Sequence, residues 1–306
     1  MIVVCGEALI DMISNGDDSP RAAPGGGPFN TARALARLGV QTAFLGRLSD
    51  DGFGRQLAGL LVSDGASLEM TSIGSETTTT AIAHVDSEGF AEYQFRVQGT
   101  SAPNLTLDMV PEHFGPEVAG LFFGTLGLVL EPMASTLMQL MSREHGRRLL
   151  MLDPNIRVGL IPDAVYRGRL QTAIAKSTIV KASDSDLAWL YPGLGYEQAA
   201  DRILGDGVRL IVVTLGARGA FGGQGDIRIL VDAPHVDVVD TIGAGDAFGA
   251  GLLAWLNDHD LLQVDLSLTP EELRESLGFA CLVASLTCAR AGADPPTRAD
   301  LLKLES

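Results

Sequence analysis

Short apolar segments alternate with helical patterns along most of the chain, and this alternation strongly limits the possible folds. The apolar segments include VAGLFFGT, RRLLMLDPN, STIVKAS and VRLIVVTLG, each ending in small or polar residues. Helical patterns such as PMASTLMQLMSREHG and YEQAADRILGDG lie between them. Strands that are apolar on both faces and separated by helices indicate an α/β fold with a Rossmann-like, doubly wound, mainly parallel sheet. Ligands of such sheets bind beyond the carboxyl ends of the strands.

The length and composition predict one globular domain over residues 1–306. Apolar residues make up 46% of the 306-residue chain and charged residues 20%. No stretch of the sequence marks a boundary to a second independent unit. The N-terminal run MIVVCGEALIDM is predicted to form a single strand.

One region departs from the alternation. Thr77–Phe95, TTTTAIAHVDSEGFAEYQF, contains two alternating strands around a Ser-Glu-Gly turn, which indicates a β-hairpin. With the segment after Ile10, it is expected to form a small β-sheet lid from about residues 11–24 and 71–101. A plain hairpin at the edge of the main sheet is the alternative. The exposed edges of such a lid favour a homodimer formed through it.

Charge and hydropathy exclude several classes of partner. The net charge is −16, and no segment is basic enough to bind nucleic acid or an anionic membrane. The N-terminus has no basic leader, and the run Val118–Leu130 is too short to span a bilayer. Cys5, Cys281 and Cys288 form no C-x-x-C pair. Buried thiols in a reducing cytoplasm are therefore expected.

The segment VVDTIGAGDAFGAGLLAWL places a Gly-Ala-Gly turn and one aspartate at the start of a long apolar helix. The amides of Gly243, Ala244 and Gly245 are expected to point together at the helix N-terminus, where a phosphoryl group binds well. Asp246 is then placed to accept a proton from an attacking hydroxyl, and neighbouring dipoles are expected to keep it ionised. The alternative is that Asp246 only caps the helix. A simple cap does not require both flanking glycines.

A second glycine cluster precedes a helix in Pro24–Gly39, PGGGPFNTARALARLG. Its glycines allow a ligand to approach the backbone, and Asn30 can donate and accept hydrogen bonds with hydroxyl groups. Asp11, expected at the end of the first strand, is a carboxylate where a sheet of this class holds its ligand. Together these residues suit a polyol. Each alone is also explained by a turn or a flexible loop.

The motifs GEALIDM, GGGPFNTARALARLG, LDPNIR, VTLGARGA and DTIGAGDAFGAGL occur in this order along the chain. Together they closely resemble the PfkB, or ribokinase-like, family of carbohydrate kinases, and within it the bacterial fructokinases. The resemblance extends from Ile2 to about Leu302, and DTIGAGDAF is its most specific motif. It implies a ribokinase-like fold and ATP-dependent phosphorylation of a sugar's primary hydroxyl, with fructose giving fructose 6-phosphate. It further implies Mg²⁺ together with ATP, and activation by K⁺.

The same resemblance implies roles for individual residues. Asp246 is the catalytic base, and the amides of Gly243, Ala244 and Gly245 form the anion hole. The residues assigned to the sugar are Asp11, Gly26, Gly27, Asn30, Phe95, Arg96 and Arg157, with Phe95 or Arg96 closing from the lid. The residues assigned to the nucleotide are Asn155, Lys181, Thr214, Gly216, Gly219 and Cys281. Asn155 and Arg157 are also expected to reach the phosphoryl or sugar side, and Cys281 stands where the family often has an asparagine near adenine.

The metal motifs depart from the family pattern. The family's N-x-x-E motif, which helps to organise Mg²⁺ and its waters, is replaced by Ser183 and Asp186 in KASDSDLAWLYP. Asp186 is therefore expected to reach Mg²⁺ only through water. A monovalent-cation site is expected at Asp240 and the carbonyls of Ile242, Thr287 and Gly292, with Pro296 replacing a serine that often follows.

Other functional classes fit the sequence less well. A nicotinamide dehydrogenase needs G-x-G-x-x-G after the first strand, and a Walker-type ATPase needs glycines that AIAKST lacks. A non-catalytic sugar sensor of the same fold would have lost the base or the anion hole, and both are present here. Among kinases, 2-keto-3-deoxygluconate is the alternative substrate to fructose, because Arg96 or Arg157 can supply a cation for its carboxylate.

Overall fold

The computed structural model describes residues 1–14, 21–85 and 91–303. The strands in these ranges are β1 (Ile2–Cys5), β2 (Leu9–Ser14), β3 (Arg21–Gly25), β4 (Thr42–Leu45), β5 (Arg47–Ser49), β6 (Ser72–Gly74), β7 (Thr80–Val85), β8 (Ala91–Arg96), β9 (Gly120–Gly124), β10 (Leu149–Asp153), β11 (Ile179–Ser183), β12 (Leu210–Thr214), β13 (Ala220–Gln224) and β14 (Ile227–Val231). The α-helices are α1 (Gly27–Arg37), α2 (Gly52–Asp64), α3 (Met133–Glu144), α4 (Asp163–Ile174), α5 (Asp184–Leu190), α6 (Tyr196–Gly205), α7 (Ala244–Asp258), α8 (Pro270–Cys288) and α9 (Arg298–Leu302). Short 3₁₀ turns occur at Ala102–Asn104, Leu107–Met109, Thr125–Leu128 and Gly216–Arg218.

The central sheet has the strand order β14-β13-β12-β11-β10-β9-β1-β4. Parallel pairing joins six neighbouring strands of this sheet, namely β4, β1, β9, β10, β11 and β12. β13 and β14 add antiparallel strands at the edge next to β12. Alternate residues of β1 enter opposite cores, Ile2 and Val4 on one face and Val3 and Cys5 on the other. Helices α1, α2, α7 and α8 cover the first face, and α3 to α6 cover the second. The predicted doubly wound, mainly parallel sheet is confirmed.

The N-terminal run is two strands in different sheets, so the prediction of one strand is wrong. β1 ends at Cys5 in the central sheet, and β2 begins at Leu9 in a separate sheet. The break falls at Gly6, whose φ of 147° is a conformation that side chains rarely adopt. A Cβ atom on Gly6 would also lie 2.5 Å from Cγ of Pro28 in α1. Asp11 is therefore inside β2 and not at the end of a central strand.

A small sheet with the order β3-β2-β7-β8 lies outside the central sheet. β7 and β8 pair antiparallel, as expected for the hairpin, and β2 pairs in parallel with β7. The Ser-Glu-Gly turn of the hairpin lies outside the described residues. Ser72–Gly74 was expected in the lid but instead pairs in parallel with Arg47–Ser49 in a two-stranded sheet. Next to this pairing, Ser72 N–H donates to the carbonyl of Gly46 over 3.0 Å.

In the parts of the chain described here, no helix is long and apolar enough to cross a membrane.

Candidate active site

A cavity of about 350 Å³, called here the first cavity, lies between the small sheet and the carboxyl ends of the central strands. The cavity brings together residues distant in sequence. They come from the starts of α1 and α7, from the loops after β9 and β10, and from β2 and β8 of the small sheet. Of the predicted catalytic and sugar residues, those that line it are Asp11, Gly26, Gly27, Asn30, Phe95, Arg157, Gly243, Gly245 and Asp246.

Asp246 lies in the first turn of α7, and its side chain is buried. Its Oδ2 accepts a hydrogen bond from Nδ2 of Asn30 over 2.9 Å. Burial raises the pKa of Asp246 to about 7, although the Asn30 hydrogen bond acts in the opposite direction. Burial therefore opposes the neighbouring dipoles that were expected to keep this carboxylate ionised. Its titration falls near neutral pH because it is shielded from water.

The turn before Asp246 is built by glycine. Gly243 is the N-cap of α7, with a left-handed φ of 76°, and a Cβ atom there would lie 2.6 Å from Cβ of Ala293. The interpretation of Asp246 as the helix cap is therefore wrong. Ala244 N–H donates to the carbonyl of Thr241 over 3.3 Å, while the amides of Gly245 and Asp246 are in the first turn, where a helix offers no internal acceptor.

A second cavity of about 510 Å³ lies on the other side of this turn. It is lined by four of the residues that the family resemblance assigns to the nucleotide, namely Thr214, Gly216, Gly219 and Cys281. Ala244 lines this cavity, whereas Thr241 and Gly245 line both. The start of α7 is thus shared by the two cavities, and a ligand in each would meet there.

Asn155 and Lys181, also assigned to the nucleotide, line the first cavity and not the second. Asn155 follows β10, and Lys181 lies within β11, the next strand of the sheet. Nζ of Lys181 is 2.7 Å from Oδ2 of Asp153 in a buried ion pair. Burial lowers the pKa of Lys181, but the facing Asp153 carboxylate outweighs this effect, so the pKa is raised and the ammonium stays charged. A Cβ atom on Gly245 would lie 3.1 Å from Nζ, so the cation faces the shared turn.

The two candidate arginines are placed differently. Arg157 lines the first cavity, and its Nη1 donates to the carbonyls of Asn155 and Ile156 over 3.1 and 3.2 Å. Arg96 is exposed and lines neither cavity. Neighbouring strand residues face opposite sides of a sheet, so Phe95 and Arg96 cannot both face the cavity. Phe95 is the one that does.

Asp186, expected to reach Mg²⁺ only through water, does not line either cavity. Its Oδ2 accepts from N–H and Oγ of Ser183 over 2.9 and 2.6 Å, and its Oδ1 accepts from Ile156 N–H over 2.8 Å. The carboxylate is thus engaged in capping α5 and in holding the loop after β10. Across residues 1–14, 21–85 and 91–303, no group of three or more His, Cys, Asp and Glu side chains is arranged to hold a metal ion.

The residues predicted for a monovalent cation lie around Asp240. Its Oδ1 accepts from Ile242 N–H over 3.0 Å and its Oδ2 from Gly292 N–H over 2.8 Å, which joins the two loops. The carbonyl of Thr287, at the end of α8, accepts from Arg290 N–H over 3.1 Å, and that of Gly292 accepts from Asp294 N–H over 2.8 Å. Two of the three expected carbonyls therefore already carry backbone hydrogen bonds.

The sequence reasoning missed Glu7 and Thr125, which also line the first cavity. Glu7 is fully buried; its Oε2 accepts from Gly127 N–H over 3.0 Å, and its Oε1 has no partner among the described residues. Burial raises the pKa of Glu7 to about 8. Its position just after an apolar strand was an available signal. No such signal marks Thr125 in the sequence. Its backbone has a φ of 52°, a conformation that the folded chain imposes and that the sequence does not reveal.

Comparisons with known proteins identify the family of this chain. Residues 1–300 match the pfkB family carbohydrate kinase, and the chain belongs to that family. The chain is therefore an ATP-dependent carbohydrate kinase, as the motifs predicted. It is 39% identical over 267 residues to a fructokinase of Rhizobium leguminosarum bv. trifolii, covering 86% of this chain and 81% of the relative.

Two solved structures are similar over nearly the whole chain. Fructokinase from Vibrio cholerae O395, in its fructose-, ADP- and calcium-bound form, has a TM-score of 0.86 at 25% identity, covering 99% of this chain and 97% of the other. An uncharacterized sugar kinase from Pyrococcus horikoshii in complex with ATP has a TM-score of 0.82 at 27% identity, with the same coverage of 99% and 97%.

Proposed function

We propose that this chain transfers the terminal phosphoryl group of ATP to the primary hydroxyl of D-fructose, giving D-fructose 6-phosphate. The observation that carries this proposal is that Thr241 and Gly245 line both cavities, so that one turn joins a polar pocket to a largely apolar one. A sugar in the first cavity and a nucleotide in the second would have their reacting groups at that turn. The similarity to a fructokinase bound to fructose and ADP supports the choice of ligands.

Asp246 is the general base in this proposal. Its carboxyl lines the first cavity beside the shared turn and has a pKa of about 7. A base with a pKa near the working pH combines a useful ionised fraction with enough basicity to accept the sugar hydroxyl proton. Asn30 holds Oδ2 through its 2.9 Å hydrogen bond, so Oδ1 is the oxygen assigned to the proton.

The start of α7 and Lys181 supply the positive charge that the transferring phosphoryl group needs. The first-turn amides add their dipoles at the helix N-terminus. Lys181 lies beside Gly245 and is held there by Asp153. Fixed donors aimed at developing charge are a large source of rate enhancement in phosphoryl transfer. In a chain with a net charge of −16, such local donors are essential for binding a polyphosphate.

The charges of the first cavity favour a neutral sugar over 2-keto-3-deoxygluconate. The carboxyl groups of Glu7, Asp11 and Asp246 line it, and carboxylates accept hydrogen bonds from sugar hydroxyls. Lys181 is already paired with Asp153, and Arg157 donates to two backbone carbonyls. A substrate carboxylate would therefore lie beside the carboxyl groups of Asp11 and Asp246, and would have to displace existing hydrogen bonds to gain a cationic partner.

The small sheet is proposed to act as the lid of the first cavity, with Phe95 of β8 as its contact with the sugar. β3 and β8 are the edge strands of this sheet, and a homodimer formed through these edges is part of the proposal. A cytoplasmic location is proposed from the cysteine content.

A divalent ion is proposed to enter with ATP. Mg²⁺ usually keeps several waters and binds to substrate phosphates with few protein carboxylates. The described residues fit that mode better than a protein cage, because Asp186 is already engaged by Ser183 and Ile156. A monovalent cation at the Asp240 loop is a further proposal, tested by titrating KCl against choline chloride.

A coupled assay of ADP release tests the proposed function. The panel contains fructose, ribose, 2-keto-3-deoxygluconate and a nucleoside, each with ATP and Mg²⁺. Fructose is expected to give the highest kcat/KM, and an Asp246→Asn variant purified in parallel controls for contaminating kinases. A higher kcat/KM for the keto acid would overturn the choice of sugar, and turnover of none of them would overturn the proposed function.

A further inference from the structure

The carboxylate of Asp186 joins the loop after β10 to α5 by hydrogen bonds. Oδ1 of Asp186 accepts from the backbone N–H of Ile156 over 2.8 Å. Its other oxygen, Oδ2, accepts from the backbone N–H of Ser183 over 2.9 Å and from Oγ of Ser183 over 2.6 Å, as part of the capping box of α5. Asp186 therefore binds the loop with one oxygen and its own helix with the other.

The residues on either side of Ile156 both line the first cavity. Asn155 has a φ of 36°, an unfavourable conformation for a residue other than glycine. Such a conformation persists only when its surroundings hold it, and hydrogen bonds from both the side chain and the backbone hold Asn155. Its Nδ2 donates to Oγ1 of Thr125 over 3.3 Å, and the next amide along the chain is the one bound to Asp186. Arg157 then folds back onto the carbonyls of Asn155 and Ile156.

We propose that Asp186 is a positioning residue for the sugar side of the site, acting through the backbone of Ile156 on Asn155 and Arg157. It is not a ligand of the metal that accompanies ATP. The carboxylate lies outside both cavities, while the loop that it binds contributes two residues to the first. The inference rests on the proposed function, since it requires the first cavity to hold the sugar.

The test compares Asp186→Asn with Ser183→Ala. The asparagine variant has only one acceptor oxygen and loses the charge, so the bonds to Ser183 and Ile156 cannot both be kept at full strength. Ser183→Ala removes the capping hydroxyl of α5 but leaves Oδ1 of Asp186 and the Ile156 amide intact. Both variants disturb the start of α5, and only the first disturbs the loop.

Two readouts separate positioning from metal binding. The first is the dissociation constant of the preferred sugar of the panel, measured by calorimetry without nucleotide or metal. The second is the Mg²⁺ concentration that gives half-maximal turnover. For Asp186→Asn, the sugar dissociation constant and KM are expected to rise about tenfold, as for loss of a charged hydrogen bond, while kcat changes less and the Mg²⁺ dependence stays unchanged. Ser183→Ala is expected to keep the sugar affinity of the unchanged protein.

An unchanged sugar affinity in Asp186→Asn would overturn the inference, and so would a raised Mg²⁺ requirement with normal sugar binding. An equal loss in both variants would assign the effect to α5 alone. If Asp186→Asn folds poorly, Asp186→Glu keeps the charge and a preferred residue for the capping box. It is expected to recover most of the sugar affinity. If the proposed function itself fails, the unchanged protein neither binds nor phosphorylates any sugar of the panel.

Discussion

Nδ2 of Asn30 donates to Oδ2 of Asp246 over 2.9 Å and so joins two residues 216 positions apart in the sequence. The bond connects α1 with α7, the two helices that follow glycine-rich segments. It leaves Oδ1 of Asp246 as the oxygen not engaged by Asn30. Oδ1 of Asn30 is buried and has no hydrogen-bond partner within the described ranges. This oxygen is therefore a suitable acceptor for a sugar hydroxyl.

Replacing Asn30 by alanine is expected to shift the pH dependence of turnover. The Asn30 hydrogen bond stabilises the ionised form of Asp246, so its loss raises the pKa of that carboxyl further above about 7. Asp246 accepts a proton only when ionised, and turnover is therefore gained as pH rises through its pKa. The acid limb of kcat should move to higher pH in Asn30→Ala, measured between about pH 5 and 9. An acid limb that does not move would contradict the proposed coupling.

Gly27→Ala is expected to obstruct the sugar pocket. A Cβ atom there would lie 2.5 Å from Oγ1 of Thr125 and 3.3 Å from Oδ1 of Asp246. The sugar KM should rise by about 10- to 100-fold, because small displacements of reacting groups are costly. Gly59→Ala is the matched control, since its Cβ would meet nothing within 4 Å. It should stabilise α2 by up to about 1 kcal/mol and leave the kinetics unchanged. A Gly27→Ala enzyme with the original KM would show that the sugar does not lie against α1.

Glu7→Gln is expected to change how stability depends on pH. The pKa of Glu7 is raised by burial from 4.5 to about 8, so the folded chain keeps a proton that the unfolded chain releases. Between these values the Glu7 contribution to the free energy of unfolding falls as pH rises. The difference between Glu7→Gln and the unchanged protein should therefore grow in favour of the variant from about pH 5 to about pH 8 in urea unfolding. An equal difference at both values would show that Glu7 is ionised in the folded protein.

The architecture was predictable from the sequence because its signals are local. Each central strand is a short apolar run, and residues such as Val3 and Val4 enter opposite cores. The Gly-Ala-Gly turn and Asp246 were found for the same reason, since a glycine-rich turn before an apolar helix is visible within a few residues. The break at Gly6 was not, because it depends on the approach of Pro28 from α1.

The parts of the site that the sequence did not specify depend on contacts distant in the chain. Asn155 lines the first cavity, on the phosphoryl or sugar side that was one of its two expected positions, and Lys181 lines the same cavity beside Gly245. No local pattern records which strands are neighbours. Asp186 has the composition of a metal ligand, but its oxygens are used by Ser183 and Ile156. The raised pKa of Asp246 likewise follows from burial, which only the folded chain defines.

The role of Asp246 is tested by the turnover of Asp246→Asn, measured together with the affinity of the variant for ATP. The variant keeps the size of the side chain and an oxygen that can accept from Asn30. We predict that kcat falls by about 10²- to 10⁴-fold, while the dissociation constant for ATP, measured by calorimetry, is unchanged. A variant that phosphorylates the sugar at the original rate would contradict the assignment of Asp246 as the base at the shared turn.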